Sequence, residues 1–247
     1  MTDVSLIYGH HPVVEAIRAG QAVDKVFFQQ GLRGEVEKEI RHLTREYSIP
    51  LQVVPRERLD KMVRGNHQGV AAFLSVIAYR DLETLLPAIE EQSEIPLLIL
   101  LDGVTDVRNF GAICRTALCM GVHAVVVPQS GSAPANEEAM KASAGALARM
   151  PICRVRSLFS TVEWLQQANL RVVATALDER AVPIPQVDLT GPTALLLGSE
   201  GQGVHPKLLK MADAVCIIPQ AVDFDSLNVG VAAGVALYEV LRQRKKW

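Results

Sequence analysis

Unbroken apolar runs constrain this chain more than any other feature. Ala194-Leu-Leu-Leu197 feeds straight into Gly198-Ser-Glu200-Gly201-Gln-Gly203. Leu97 to Leu101, His123 to Val127, Arg171 to Ala176 and Val215 to Ile218 are runs of the same kind. Runs this short, bounded by Gly and Pro, read as strands buried on both faces of a parallel sheet. Pro151 to Val155 adds another strand. Helical spacing fills the gaps: 109–120, 135–148, 158–168 behind Ser157, 206–211 and 229–243. Strand–helix alternation predicts an α/β domain over 96–247, a parallel sheet with helices on both faces.

The first 78 residues alternate on a smaller scale. Tyr8-Gly-His-His-Pro12 opens a turn and a helix, with Pro12 suited to the first helical turn. Strands are expected over 23–28, 51–54 and 69–76, with helices over 35–47 and 56–63. The polar loop Arg64-Gly65-Asn66-His67-Gln68-Gly69 is a candidate contact surface. His67 taken alone reads as a turn residue. Residues 79–95, with an acidic helix over 81–92, are expected to link the two domains.

Composition excludes several classes. Apolar residues make up 49% and charged residues 21%, which describes a globular chain with a sizeable core. No run approaches the roughly 18 apolar residues that cross a bilayer, and Met-Thr-Asp-Val-Ser lacks the marks of a signal peptide. Cys114, Cys119, Cys153 and Cys216 form no Cys-x-x-Cys pair and lie in or beside apolar runs. They are expected to be buried free thiols in a reducing cytoplasm, with no metal. The net charge of −2 points to no particular partner.

Three loops follow strands at what should be one edge of the sheet: 102–111, 198–203 and 219–228. Asn109 is the expected N-cap of its helix. Arg108 and Arg115 lie seven apart and should share a helix face. Together the loops bring Arg115, Asn109, Glu200, Ser226 and Asn228 toward one cleft. Glu200 stands where a pyrophosphate would want backbone N–H groups, so the loop suits a neutral or cationic ligand. The glycine pattern alone leaves a plain tight turn equally open. The Asp223/Asp225 pair has no metal-ligand company, and no triad, zinc or nucleoside-triphosphate motif occurs.

The segments Asn109-x-Gly111-x-x-x-Arg115, Gly198-x-Glu200-Gly201-x-Gly203 and Ile218-Pro219 followed by Ser226-Leu227-Asn228 resemble, in order and spacing, the three motifs of the SpoU/TrmH family of RNA ribose 2′-O-methyltransferases (SPOUT class). The match covers about 95–245. Tyr8-Gly-His-His-Pro12 and His67-Gln68-Gly69 resemble the ribosomal-protein-L30e-like RNA-binding domain of the same enzymes. The subgroup acting on a guanosine of 23S rRNA is the most similar.

The resemblance implies a trefoil-knotted α/β domain, an obligate homodimer and S-adenosylmethionine as cofactor. It implies structured RNA as substrate, rRNA before tRNA, in the cytoplasm. Gly198, Ile218 and Leu227 would contact the cofactor, with Thr175, Ala176, Gly201 and Gly203 around it. Arg115 would activate the ribose hydroxyl; because a guanidinium keeps its proton, it either is perturbed in the site or orients the nucleophile while another group takes the proton. Asn109, Glu200, Ser226 and Asn228 would shape the site, and His67, Gln68 and Arg108 would meet RNA. The chain departs from the usual third motif at Gln220, Val222 and Phe224-Asp225. Rival readings are the same chemistry on tRNA, an RNA-binding protein without catalysis, and a nucleotide-dependent oxidoreductase.

Overall fold

The computed structural model describes residues 6–222 and 226–245. Asp223, Phe224, Asp225 and the final two residues of the basic tail lie outside the described residues. The chain divides into two units: one up to Ala78 together with Pro134–Glu137, the other Tyr79–Ala133 and Glu138 onward.

The first unit holds β1 (Leu6–Tyr8), α1 (His10–Arg18), β2 (Val23–Gln29), α2 (Glu35–Glu46), β3 (Leu51–Val54), α3 (Arg56–Met62) and β4 (Val70–Leu74). Its sheet runs β1-β4-β2-β3. The β2–β3 pair is parallel, and β4 is antiparallel to both β1 and β2. Strand alternation feeds two small cores. Val13, Ile17, Val26, Phe28 and Ile40 form one. Phe27, Val54, Leu59 and Ala71 form the other. β1 is one strand more than the sequence pattern had suggested; three residues are too few to show a period.

The second unit holds α4 (Leu82–Glu91), β5 (Leu97–Asp102), α5 (Val107–Cys119), β6 (Ala124–Pro128), α6 (Glu137–Ala142), β7 (Ile152–Val155), α7 (Leu158–Gln167), β8 (Arg171–Thr175), β9 (Val182–Pro183), β10 (Thr193–Gly198), α8 (Pro206–Met211), β11 (Ala214–Ile217) and α9 (Val229–Arg244). The sheet order is β7-β6-β5-β10-β8-β11-β9, and every pair is parallel. The central strands are buried throughout, as their unbroken apolar runs require: Leu98, Ile99, Leu100, Val125, Val173 and Leu195 have no exposed surface. Truncating one such Leu to Ala would cost about 2–5 kcal/mol.

The stretch 79–95 does not behave as a linker. Leu82 and Leu86 on α4 enter the core of the second unit, and Arg80 bridges Cys153 at the edge of the sheet. The acidic character of α4 belongs to its solvent face. The expected 135–148 helix also breaks: α6 ends at Ala142, and Ala144 and Gly145 both have positive φ before a short 3-10 turn. Cys114, Cys153 and Cys216 are buried free thiols, but Cys119, the last residue of α5, is exposed.

Small residues bring the helices close. A Cβ on Gly111 would lie 2.6 Å from the Ala142 Cβ and 2.8 Å from the Ala139 carbonyl, so α5 approaches α6 at glycine distance. On α9, Gly230 faces Ala112 and Gly234 faces Thr116. The small-residue face of α9 is therefore spent on α5 of the same chain.

Candidate active site

The carboxyl ends of β5, β10, β8 and β11 lie side by side. Gly198 is level with Asp102 in the β10–β5 register, Leu197 with Thr175, and Thr175 with Cys216. Open α/β sheets bind ligands outside this edge. Here a cleft of about 740 Å³ opens. Its walls come from Thr175–Leu177 after β8, Gly198–Val204 after β10, Cys216–Ile218 with Gln220 after β11, and Ser226, Leu227, Val229 and Ala232 at the start of α9. All seven expected cofactor residues line it: Thr175, Ala176, Gly198, Gly201, Gly203, Ile218 and Leu227.

The glycine loop has one obligatory position. A Cβ on Gly198 would lie 2.0 Å from the Gly203 carbonyl carbon and 2.1 Å from the Val204 nitrogen, both backbone atoms that cannot move aside. The chain folds back onto its own strand end. Gly203 N–H donates to the Ser199 carbonyl at 2.9 Å to close the turn. Gly201 and Gly203 have φ of 82° and 67°, which favour glycine. Asp102 ties the turn to β5 by accepting from His205 N–H at 2.7 Å. The sequence reading missed Asp102, although it ends an apolar run in the same way that Gly198 does.

Asn109 is not the N-cap of α5. Asp106 caps it, accepting from Arg108 N–H at 2.8 Å and Asn109 N–H at 2.9 Å. Asn109 sits inside the first turn with its side chain free to reach across the cleft edge. Its amide donates to Glu200 Oε1 at 3.1 Å. The Asn228 amide donates to Asn109 Oδ1 at 2.9 Å and also to Glu200 Oε1. Asn228 Oδ1 meanwhile caps α9, accepting from Gly230 and Val231 N–H at 2.9 and 3.2 Å. One residue from each of three distant segments thus closes into a single hydrogen-bonded knot of side chains. Ser226 lines the cleft beside it.

Arg115 lies two turns further along α5, exposed and without a hydrogen bond or ion pair among the described residues. Arg108 is exposed on the same helix, with its Nε 3.7 Å from Glu138 Oε1. In the first unit Gln68 is exposed, but His67 is turned inward and 5% exposed. Its Nδ1 accepts from Gly69 N–H at 2.9 Å, and its Nε2 meets Asp60 Oδ1 at 2.8 Å. The His67 ring therefore builds its loop and does not face a ligand.

Among the described residues, the cleft wall contains no Lys or Arg and one acid, Glu200. Backbone groups, apolar side chains and a close-folded glycine turn dominate it. Such a wall suits a ligand with an apolar ring and an uncharged or cationic tail, and its described residues offer no cation to hold a phosphate. No group of His, Cys, Asp or Glu among the described residues could hold a metal ion. Burial pushes the Cys216 thiol, at the cleft wall, up to about 11, so it stays protonated and unreactive.

Comparison with known proteins agrees with this geometry. Residues 6–79 match the family described as RNA 2′-O ribose methyltransferase substrate binding. The 23S rRNA (guanosine-2′-O-)-methyltransferase RlmB of Pseudomonas aeruginosa is 39% identical over 246 residues, 99% of this chain and 98% of that protein. The crystal structure of an AdoMet-bound rRNA methyltransferase from Sinorhizobium meliloti superposes with a TM-score of 0.61 at 26% identity, covering 96% of this chain and 87% of that one. The TrmH/SpoU tRNA modifying enzyme of A. aeolicus gives a TM-score of 0.57 at 30% identity, over 65% of this chain and 84% of its own. With residues 96–238 matching its profile, the chain belongs to the SpoU rRNA Methylase family.

Proposed function

We propose that this protein transfers a methyl group from S-adenosylmethionine to a ribose 2′-hydroxyl of RNA, and that its substrate is a guanosine of 23S rRNA. The observation that carries the reading is the meeting of Asn109, Glu200 and Asn228 at the rim of a cleft that has no Lys or Arg among its described residues and is walled by Thr175–Leu177, the 198–204 turn and Ile218. The rRNA assignment is supported by the 39% identity, over 99% of this chain, to the 23S rRNA enzyme of Pseudomonas aeruginosa.

Bound S-adenosylmethionine would supply an electrophilic methyl carbon on a sulfonium for transfer to the ribose oxygen. Gly198, Gly201, Gly203, Ile218 and Leu227 hold the cofactor through backbone and apolar contacts, with Thr175 and Ala176 beside them. Arg115 binds the phosphate next to the target ribose and orients the hydroxyl. Asn109, Glu200, Ser226 and Asn228 fix the loop ends and hold the nucleotide. Gln68 and Arg108 meet the RNA backbone or bases, and His67 holds the loop that carries Gln68.

The resemblance also brings a trefoil knot and a homodimer, and both belong to this proposal. Insertion of β10 between β5 and β8, with the chain folding back over Gly198, supports the knot. Val231, Val235 and Tyr238, an exposed apolar stripe at helical spacing on α9, support the dimer contact. An rRNA substrate supports a cytoplasmic location.

The test is ribose-methylation mapping. Incubation with S-adenosylmethionine and unmodified 23S rRNA should place one 2′-O-methyl on a guanosine and leave bulk tRNA unmodified. Methylation of tRNA alone, or of neither RNA, overturns the reading.

A further inference from the structure

Tyr8 is the last residue of β1 and stays 42% exposed, while its neighbours Leu6 and Ile7 pack against the two cores of the first unit. Its hydroxyl has no hydrogen bond among the described residues. Its ring lies on Gly65: a Cβ at that position would come within 2.7 Å of the Tyr8 Oη and 2.8 Å of its Cε2. The glycine lets the loop pass beneath the ring, and any side chain there would push the ring away.

The loop carrying Gly65 is rigidly built. Because His67 Nδ1 accepts from Gly69 N–H, the ring hydrogen sits on Nε2 and is donated to Asp60 on α3. Gln68 and Gly69 both take positive φ, 50° and 79°. Left-handed backbone at a glutamine costs energy and persists where the surroundings impose it. Val63, His67 and Gly69 are buried, whereas Arg64, Asn66 and Gln68 are exposed. Gln68 Oε1 accepts from His10 N–H at 3.2 Å, which brings its amide to the same end of the sheet as Tyr8. Asn66 Oδ1 accepts from Gln68 N–H at 3.3 Å.

A half-exposed aromatic ring stands over a preformed loop that carries two amides able to donate and accept and one cation. This is the set that takes an unpaired nucleotide: π stacking for the base, amides for its edge, a cation for the phosphate. A base within a duplex could not reach the ring. We infer that Tyr8 is the stacking platform for an unpaired base of the RNA substrate, with Asn66 and Gln68 at the base edge and Arg64 on the backbone. The inference rests on the proposed RNA-binding role of this unit and adds the form of RNA and the residue that selects it.

The test uses the full chain and an unmodified 23S rRNA transcript, with affinity measured across salt concentrations. Tyr8→Phe and Tyr8→Trp should bind like the wild type. Tyr8→Leu keeps apolar bulk without a ring and should bind about tenfold more weakly, the loss expected for one stacked base. Its dependence on salt should be unchanged, because no charge is lost, whereas Arg64→Ala should lower the salt slope. Gly65→Val should reproduce the Tyr8→Leu loss by displacing the ring. Tyr8→Leu or Gly65→Val binding within twofold of wild type, with unchanged thermal melts, overturns the platform alone. A wild-type protein without affinity for the transcript overturns the RNA-binding reading itself.

Discussion

Asn228 Nδ2 donates to Asn109 Oδ1 at 2.9 Å, joining two residues that lie 119 positions apart. The bond links the start of α9 to the first turn of α5, and Glu200 accepts from both amides. Asn228 has a second task, since its oxygen caps α9. The two tasks separate by mutation. Asn228→Asp keeps the cap but loses the amide donor and sets a like charge against Glu200. Its melting temperature should stay near wild type while methyl transfer falls at least tenfold. Asn228→Ala loses both and should also lose about 0.5–2 kcal/mol of stability, the usual cost of an N-cap. Thermal melts and single-turnover methylation separate the two effects. An Asp variant with full activity would break the link between this bond and the site.

The cleft turn gives a contrast between two glycines three residues apart. Gly198→Ala must drive a methyl into the Gly203–Val204 backbone, so the turn has to open. Cofactor affinity by calorimetry should drop by more than tenfold. Gly201 has φ of 82° and open space around its Cβ position. Gly201→Ala should therefore cost about 1–2 kcal/mol in backbone strain and leave cofactor affinity within a few-fold of wild type. Equal losses for the two variants would show that conformation, not close approach, governs the loop.

The strands of the second sheet other than β9 were readable because burial leaves an unbroken apolar run, which needs no knowledge of partners; β9 is two partly exposed residues and shows no such run. Leu51–Val54 and Pro206–Met211 agree residue for residue with the sequence pattern. What the sequence could not order was anything decided across distance. Asn109 and Asp106 are both good caps by type, and only the Glu200 contact explains why Asn109 is left free for another task. The small residues of α9 gave no sign of whether they met α5 or another chain; Gly230 against Ala112 decides it. The acidic helix 82–91 reads as a connector because acids punctuate it at both ends, and only the structure shows that Leu82, Leu86 and Ile89 are buried. Motif order picked out seven residues as cofactor contacts, and the structure brings these seven into one cleft. Leu177 and Leu209 share it too, and no spacing rule would have selected them.

Arg115 is exposed on a helix whose packing residues are Phe110, Ile113, Cys114 and Ala117. Nothing in the fold depends on its head group. Arg115→Ala should keep the wild-type melting temperature within the roughly 0.5 kcal/mol typical of surface changes and keep cofactor affinity, yet abolish methyl transfer. Arg115→Lys retains charge without the planar fork and should recover only a small part of the rate. Activity in the alanine variant would remove Arg115 from the reaction.

The far end of α9 predicts a pH signature. Arg244 donates to four backbone carbonyls, those of Leu189, Ile95, Pro96 and Gly191, and so pins the helix to the chain entering β5 and β10. Burial pulls its guanidinium down to about 10, still a cation at neutral pH. Arg244→Ala would leave those carbonyls short of a donor and should cost about 2–4 kcal/mol. One turn back, the buried Glu239 carboxylate accepts from Arg242 at 2.8 Å through both oxygens and from Gln243 at 2.8 Å. The Arg242 hydrogen bonds hold its carboxyl below the ordinary carboxylate value, with Gln243 adding to them. A depressed folded-state value means stability that is present above the unfolded pKa and lost as pH falls through the folded one. Chemical denaturation between pH 7 and pH 3 should therefore show a loss in the acid range that Glu239→Gln, which cannot titrate, reduces. Identical acid limbs in the two proteins would show that Glu239 titrates alike folded and unfolded.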